Sequence, residues 1–131
     1  MSKTTSRKRK SVESFSSEQL VQEIATFLDD HKALELLTLP LEGKSSIADY
    51  MVIASGTSQR HLSSMAQELT RVLKANHKIY AGVEGLAQSD WILIDVGDVI
   101  VHLFRPEVRA FYNLEKMWDF SLDEAVLVET L

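Results

Sequence analysis

The chain opens without hydrophobic rhythm and acquires one at residue 15. Residues 1–14 are polar and aperiodic and read as a disordered tail, with too little apolar surface to offset the entropy of ordering. In Phe15-Ser16-Ser17-Glu18-Gln19-Leu20, Ser16 and Gln19 have capping-box spacing, while Phe15 and Leu20 have the spacing of a hydrophobic staple. Leu20, Val21, Ile24, Phe27 and Leu28 then share one helical face, which predicts a first helix ending at Asp29-Asp30-His31-Lys32. Residues 34–41 are leucine-rich but contain Pro40, so they read as a strand near a sheet edge, where a missing N–H is tolerated. Gly43-Lys44-Ser45-Ser46 reads as a loop.

Tyr50-Met51-Val52-Ile53-Ala54 is a continuous apolar run of strand length, the pattern of a strand buried on both faces. Gly56-Thr57-Ser58 turns the chain, and Ser58 is the natural N-cap of a second helix. Leu62, Met65, Ala66, Leu69, Val72 and Leu73 give that helix the most regular apolar stripe in the chain. Ile79-Tyr80-Ala81 predicts a short strand, and Gly82-Val83-Glu84-Gly85 a turn. Trp91–Val96 and Val99–Phe104 predict a hairpin joined through Gly97-Asp98. Alternation places Trp91, Leu93 and Asp95 on one face of its first strand, with Ile92, Ile94 and Val96 on the other. Arg105-Pro106 starts a last helix, with proline where its missing N–H costs least. Val108, Phe111, Tyr112, Leu114, Glu115 and Trp118 line its apolar side, Trp118 closing it in the core. The strand–helix order predicts a single α/β (α+β) domain, a mixed β-sheet flanked by helices.

Composition narrows the chemistry. The chain of 131 residues is one domain long, 45% hydrophobic and without cysteine, which removes disulfides, zinc–thiolate sites and thiol nucleophiles. No apolar run approaches a membrane span, and no secretory signal opens the chain, so the expected location is cytoplasmic. The net charge of −5 is unevenly spread. Lys3, Arg7, Lys8, Arg9 and Lys10 make residues 1–14 basic, whereas Asp119, Asp123, Glu124 and Glu129 make 119–131 acidic. Between these ends, residues 13–118 carry nine basic and fifteen acidic side chains. Such a body is a poor non-specific nucleic-acid binder and suits a basic partner.

Catalytic signatures fail in turn. Gly56-Thr57-Ser58 could offer N–H groups to a phosphate, but no P-loop lysine follows. A nucleotidyltransferase would need paired metal-binding carboxylates, and Asp95 and Asp98 flank a tight turn where aspartate is common for backbone reasons. His31, His61, His77 and His102 are scattered without metal-ligand spacing, and His102, inside a strand, reads as a hydrogen-bonded structural histidine. The Gly82–Gly85 loop has the spacing of a nucleic-acid clamp, yet Glu84 at its centre repels phosphate. These observations favour a binding protein without cofactor or metal over an enzyme. Trp91 and Tyr112 are the anchor candidates, since such side chains dominate interfaces. Pattern alone leaves both open between core and interface, although Trp91 shares its face with Asp95 and Tyr112 its helix with Arg105, Arg109 and Lys116.

Four blocks together carry a resemblance: Asp49–His61, Gly82–Gly85, Asp90–His102 and Arg109–Trp118. In this order they resemble the ribosomal silencing factor family, also called Iojap-like, from about Glu18 to Trp118. The resemblance implies a domain (residues 15–118) shaped like a nucleotidyltransferase but lacking its catalytic carboxylates, between a basic tail (1–14) and an acidic extension (119–131). It implies binding to the large ribosomal subunit through that subunit's protein fourteen, which blocks joining of the small subunit and represses translation under nutrient limitation. The partner-binding residues it implies are Trp91 and Tyr112, then Asp95, Gly82, Glu84 and Arg109. It also implies a homodimer, with no membrane and no sequence-specific nucleic acid. The competing readings are a metal-dependent nucleotidyltransferase using Gly56–Ser58 with Asp95 and Asp98, and a ribosome-assembly factor touching RNA through its basic tail.

Overall fold

The fold was obtained as a computed structural model that describes residues 16–41 and 47–112, with backbone alone at 110–112. Helix α1 (Ser17–Asp30) begins as its sequence dictates: the Ser16 hydroxyl accepts from the Gln19 N–H while the Gln19 side chain accepts from the Ser16 N–H. Phe15, the expected staple partner, lies outside the described residues, as do the 43–46 loop, Leu114–Trp118 and both chain ends. Strands β1 (Leu34–Pro40) and β2 (Tyr50–Ser55) follow, then helix α2 (Gln59–His77), capped by the Ser58 hydroxyl accepting from the His61 N–H. Strands β3 (Gly82–Glu84), β4 (Trp91–Asp95) and β5 (Val99–Phe104) precede the short helix α3 (Pro106–Tyr112).

The five strands form one mixed sheet in the order β1-β2-β5-β4-β3. Only β2 and β5 run parallel, joined by the crossover through α2, and the other three pairings are antiparallel. Helices α1 and α2 cover one face of this sheet. Leu20, Ile24 and Leu28 from α1, with Leu62, Met65, Leu69 and Leu73 from α2, pack onto Val52, Ala54, Ile92, Ile94, Val101 and Leu103. Burial of this kind contributes roughly 1.5–3 kcal/mol per large side chain and is the main force closing the domain. A second, smaller apolar cluster occupies the opposite face. There Leu41, Ala48, Met51, Ile53 and Phe104 are buried, with Trp91, Ile100 and Val108 packed against them. The period-two alternation of β4 separates these clusters, as the sequence requires.

One expectation is corrected. Residues 79–81 form no strand; the strand is Gly82–Glu84, paired antiparallel with Leu93–Asp95. Helix α2 ends at Lys78 in the left-handed conformation, and the chain needs Ile79–Ala81 to descend from the helix layer to the sheet. Consequently the predicted turn at 82–85 reduces to its last residue. Gly85 has φ +87°, and a Cβ there would lie 2.2 Å from the Trp91 carbonyl oxygen. Gly85→Ala is expected to lower the unfolding free energy by about 2 kcal/mol, combining left-handed strain with displacement of β4. Urea denaturation checks it, and a loss below about 0.5 kcal/mol would contradict the close approach.

Candidate functional site

The sheet face opposite α1 and α2 collects most of the residues singled out from sequence. Trp91, Leu93 and Asp95 lie along it on β4, and the pairing Gly82↔Asp95 and Glu84↔Leu93 sets Gly82 and Glu84 beside them on edge strand β3. Trp91 and Leu93 are half-buried, while Gly82, Glu84 and Asp95 are exposed. An aromatic ring, an aliphatic side chain and two carboxylates thus form one strip at the border of the sheet.

Trp91 is held from several sides. Its ring stacks on Phe104, its direct cross-strand neighbour, with centroids 4.9 Å apart and planes 26° from parallel. Its indole N–H donates to His102 Nδ1 at 2.9 Å across the β4–β5 diagonal. Because an indole can only donate, His102 must keep Nδ1 unprotonated. Burial pushes the His102 pKa down to about 4, so the ring is a neutral acceptor at physiological pH. The sequence reading of a hydrogen-bonded structural histidine is correct, and Trp91 is its partner. The preceding residue is also clamped: Asp90 Oδ1 accepts from Gln59 Nε2 at 3.0 Å and lies 2.9 Å from Arg105 Nε, tying β4 to the starts of α2 and α3.

Arg109 sits differently from the strip. It is only 6% exposed, with its guanidinium turned inward to donate to the Glu35 carbonyl at 2.7 Å and to the Ser55 hydroxyl at 3.0 Å. It joins α3 to the ends of β1 and β2. Tyr112 ends α3, and its side chain lies outside the described residues.

Two groups of the nucleotidyltransferase reading, Asp95 and the Thr57 N–H, have partners within the fold. Asp95 Oδ1 accepts from the Gly97 N–H at 2.9 Å, the turn-forming role expected at a hairpin with Gly97 at φ +93°. The Thr57 N–H, which a phosphate would need, donates instead to His61 Nδ1 at 2.9 Å, and His61 Nε2 meets the His31 carbonyl at 2.8 Å. The ring of His61 therefore fills the strand-to-helix corner and links it to the end of α1. Among the described residues no group of three or more His, Cys, Asp or Glu side chains converges as a metal site, and no helix is long and apolar enough to cross a membrane.

The geometry defines a one-sheet α+β protein with α1 and α2 on one face, and with α3 and an aromatic–acidic strip at the border of the other. Residues 14–130 match the family described as ribosomal silencing factor during starvation, a span that includes most of the acidic segment. A ribosomal silencing factor of Zymomonas mobilis is 56% identical over 113 residues, covering 86% of this chain and 85% of that protein. The mouse protein named mitochondrial assembly of ribosomal large subunit protein 1 is 34% identical over 82% of this chain and half of its own length. A crystal structure of a Chromobacterium violaceum protein superposes with a TM-score of 0.76 at 28% identity, over 80% of this chain and 88% of that one. The chain belongs to the ribosomal silencing factor family.

Proposed function

We propose that this protein binds the large ribosomal subunit through that subunit's protein fourteen, occupies the face the small subunit must meet, and so represses translation under nutrient limitation. The observation that carries this reading is the strip of Trp91, Leu93, Asp95 and Glu84. Its composition is that of a protein-binding surface, with an aromatic anchor beside charged rim residues. Trp91 is fixed by Phe104 and His102 before any partner arrives, so little side-chain entropy remains to be lost on docking. The carboxylates of Asp95 and Glu84 complement a basic ribosomal protein. Tyr112, the last residue of α3, is the second anchor of this reading, and Arg109 serves it by holding that helix to the sheet. The protein acts in the cytoplasm by steric exclusion, with neither cofactor nor metal, and residues 15–118 carry the activity.

Co-sedimentation tests it. Purified protein is expected to travel with isolated large subunits in a sucrose gradient and to shrink the joined-ribosome peak when both subunits are mixed. Absence from the large-subunit fraction at low salt would end the proposal. A role in large-subunit assembly is the second reading, favoured by the name of the mouse relative; it predicts binding to immature subunits in preference to mature ones.

A further inference from the structure

The far end of α2 bears a patch unlike the rest of this acidic protein. Residues 69–83 contain Arg71, Lys74 and Lys78 and no acidic residue. All three side chains are exposed, on successive turns of the helix and at its C-cap. Immediately after the cap stands Tyr80, 75% exposed, more than any other large apolar side chain among the described residues. The Lys74 ammonium lies 5.6 Å from the centre of the Tyr80 ring. Arg71, Lys74, Ala75, Lys78 and Tyr80 together line a shallow hollow of about 530 Å³. Arg71 is paired with Glu68 one turn earlier, so the lysines are the cations directed to solvent at this hollow.

The cation–π contact of Lys74 and the C-terminal end of α2 account for part of this charge, but a phenol ring left so exposed buries little and adds little to the fold. The patch matches what single-stranded nucleic acid requires, a flat face for one base and cations spaced for the adjoining phosphates. Lys74 behind the ring adds to this, since the same ammonium can reach a phosphate while the ring keeps its outer face for a base.

We infer that Tyr80, Lys74 and Lys78 form a sequence-independent contact for an unpaired nucleotide and its flanking phosphates in RNA, distinct from the Trp91 strip. The contact extends the reading of a ribosome-bound protein by giving it an RNA foothold beside its protein target. Tyrosine stacks on any base, so the contact confers affinity without reading sequence. The acidic body confines RNA to this patch and to the basic tail.

The test uses the full chain and a fluorescein-labelled twelve-residue oligoadenylate, followed by anisotropy at several salt concentrations. It needs no ribosome, so failure of the large-subunit reading and failure of this one are separable. Tyr80→Ala is expected to weaken binding roughly tenfold, as removal of one stacked base does. The Lys74→Ala, Lys78→Ala pair is expected to flatten the dependence of log affinity on log salt by about 1.4, at about 0.7 for each phosphate no longer neutralised. Both variants alter exposed side chains, and circular dichroism would verify their folds. A third variant with Arg7, Lys8, Arg9 and Lys10 replaced by glutamine separates the tail. The inference is overturned if the oligonucleotide fails to bind at low salt, or if only the tail variant loses binding. Preference of the patch for phosphatidylserine vesicles over the oligonucleotide, abolished by the same lysine substitutions, would overturn it as well.

Discussion

Trp91→Ala is expected to weaken association with the large ribosomal subunit by about thirtyfold or more, the 2 kcal/mol that marks an interface hot spot. The same substitution removes the stack on Phe104 and leaves the buried His102 Nδ1 without its donor. It should therefore also cost stability, about 2 kcal/mol for a half-buried ring and its hydrogen bond. The two effects separate in experiment. Urea unfolding that stays cooperative while co-sedimentation disappears identifies Trp91 as a docking anchor. Retained co-sedimentation in a folded variant would remove it from the interface. Trp91→Phe refines the comparison, since it keeps a ring against Phe104 but has no N–H for His102.

The second large effect is a dependence of stability on pH. In the unfolded chain His102 takes up a proton near pH 6.5, whereas burial holds it neutral in the folded protein down to about 4. Between these values the unfolded chain binds a proton that the native state refuses, so falling pH favours unfolding. The contribution of this ring is complete above about 6.5, declines as pH falls, and is exhausted near 4, a total of roughly 3 kcal/mol. Protonation would also set two donors against each other at the indole N–H. Urea unfolding of the wild type and of His102→Gln between pH 7 and 4 isolates the effect. Glutamine can still accept from Trp91 but cannot titrate, and the carboxylates common to both proteins cancel in the difference. Parallel pH profiles for the two would show that His102 is solvated in the native state.

Much of this architecture could be read from local chemistry. The capping box at Ser16 and Gln19, the Ser58 cap, the α2 stripe and the Gly97-Asp98 hairpin each use contacts within a few residues, and each is where the pattern puts it. Strand β3 has no such signal, because Gly82-Val83-Glu84 has one apolar side chain and no room for alternation. Its strand state depends on the ladder of β4. Ile79-Tyr80-Ala81 has the better strand composition but lies in the descent from the helix. Arg109 reads in sequence as a surface charge. Its inward turn depends on the Glu35 carbonyl and Ser55, which are remote in the chain. The partner of His102 was within reach: a tight turn at Gly97-Asp98 sets Leu93 opposite His102 and Trp91 on its diagonal. The exposure of Tyr80 had no local signal, because the residue types around it fit a strand equally well.

The borders of the sheet have a further consequence for how the protein behaves in a crowded cell. An unpaired strand is a template on which other chains can polymerise, and a half-apolar strand of seven residues such as β1 would ordinarily be a hazard. Here β1 is interrupted twice: Glu35 adopts φ +49° where the register shifts between Leu34 and Leu37, and Pro40 at the far end has no N–H to offer. The opposite border, β3, is three residues long and carries Glu84. Neither edge presents an uninterrupted ladder to a newcomer. The sheet can expose an aromatic strip at its border without inviting self-association into fibrils.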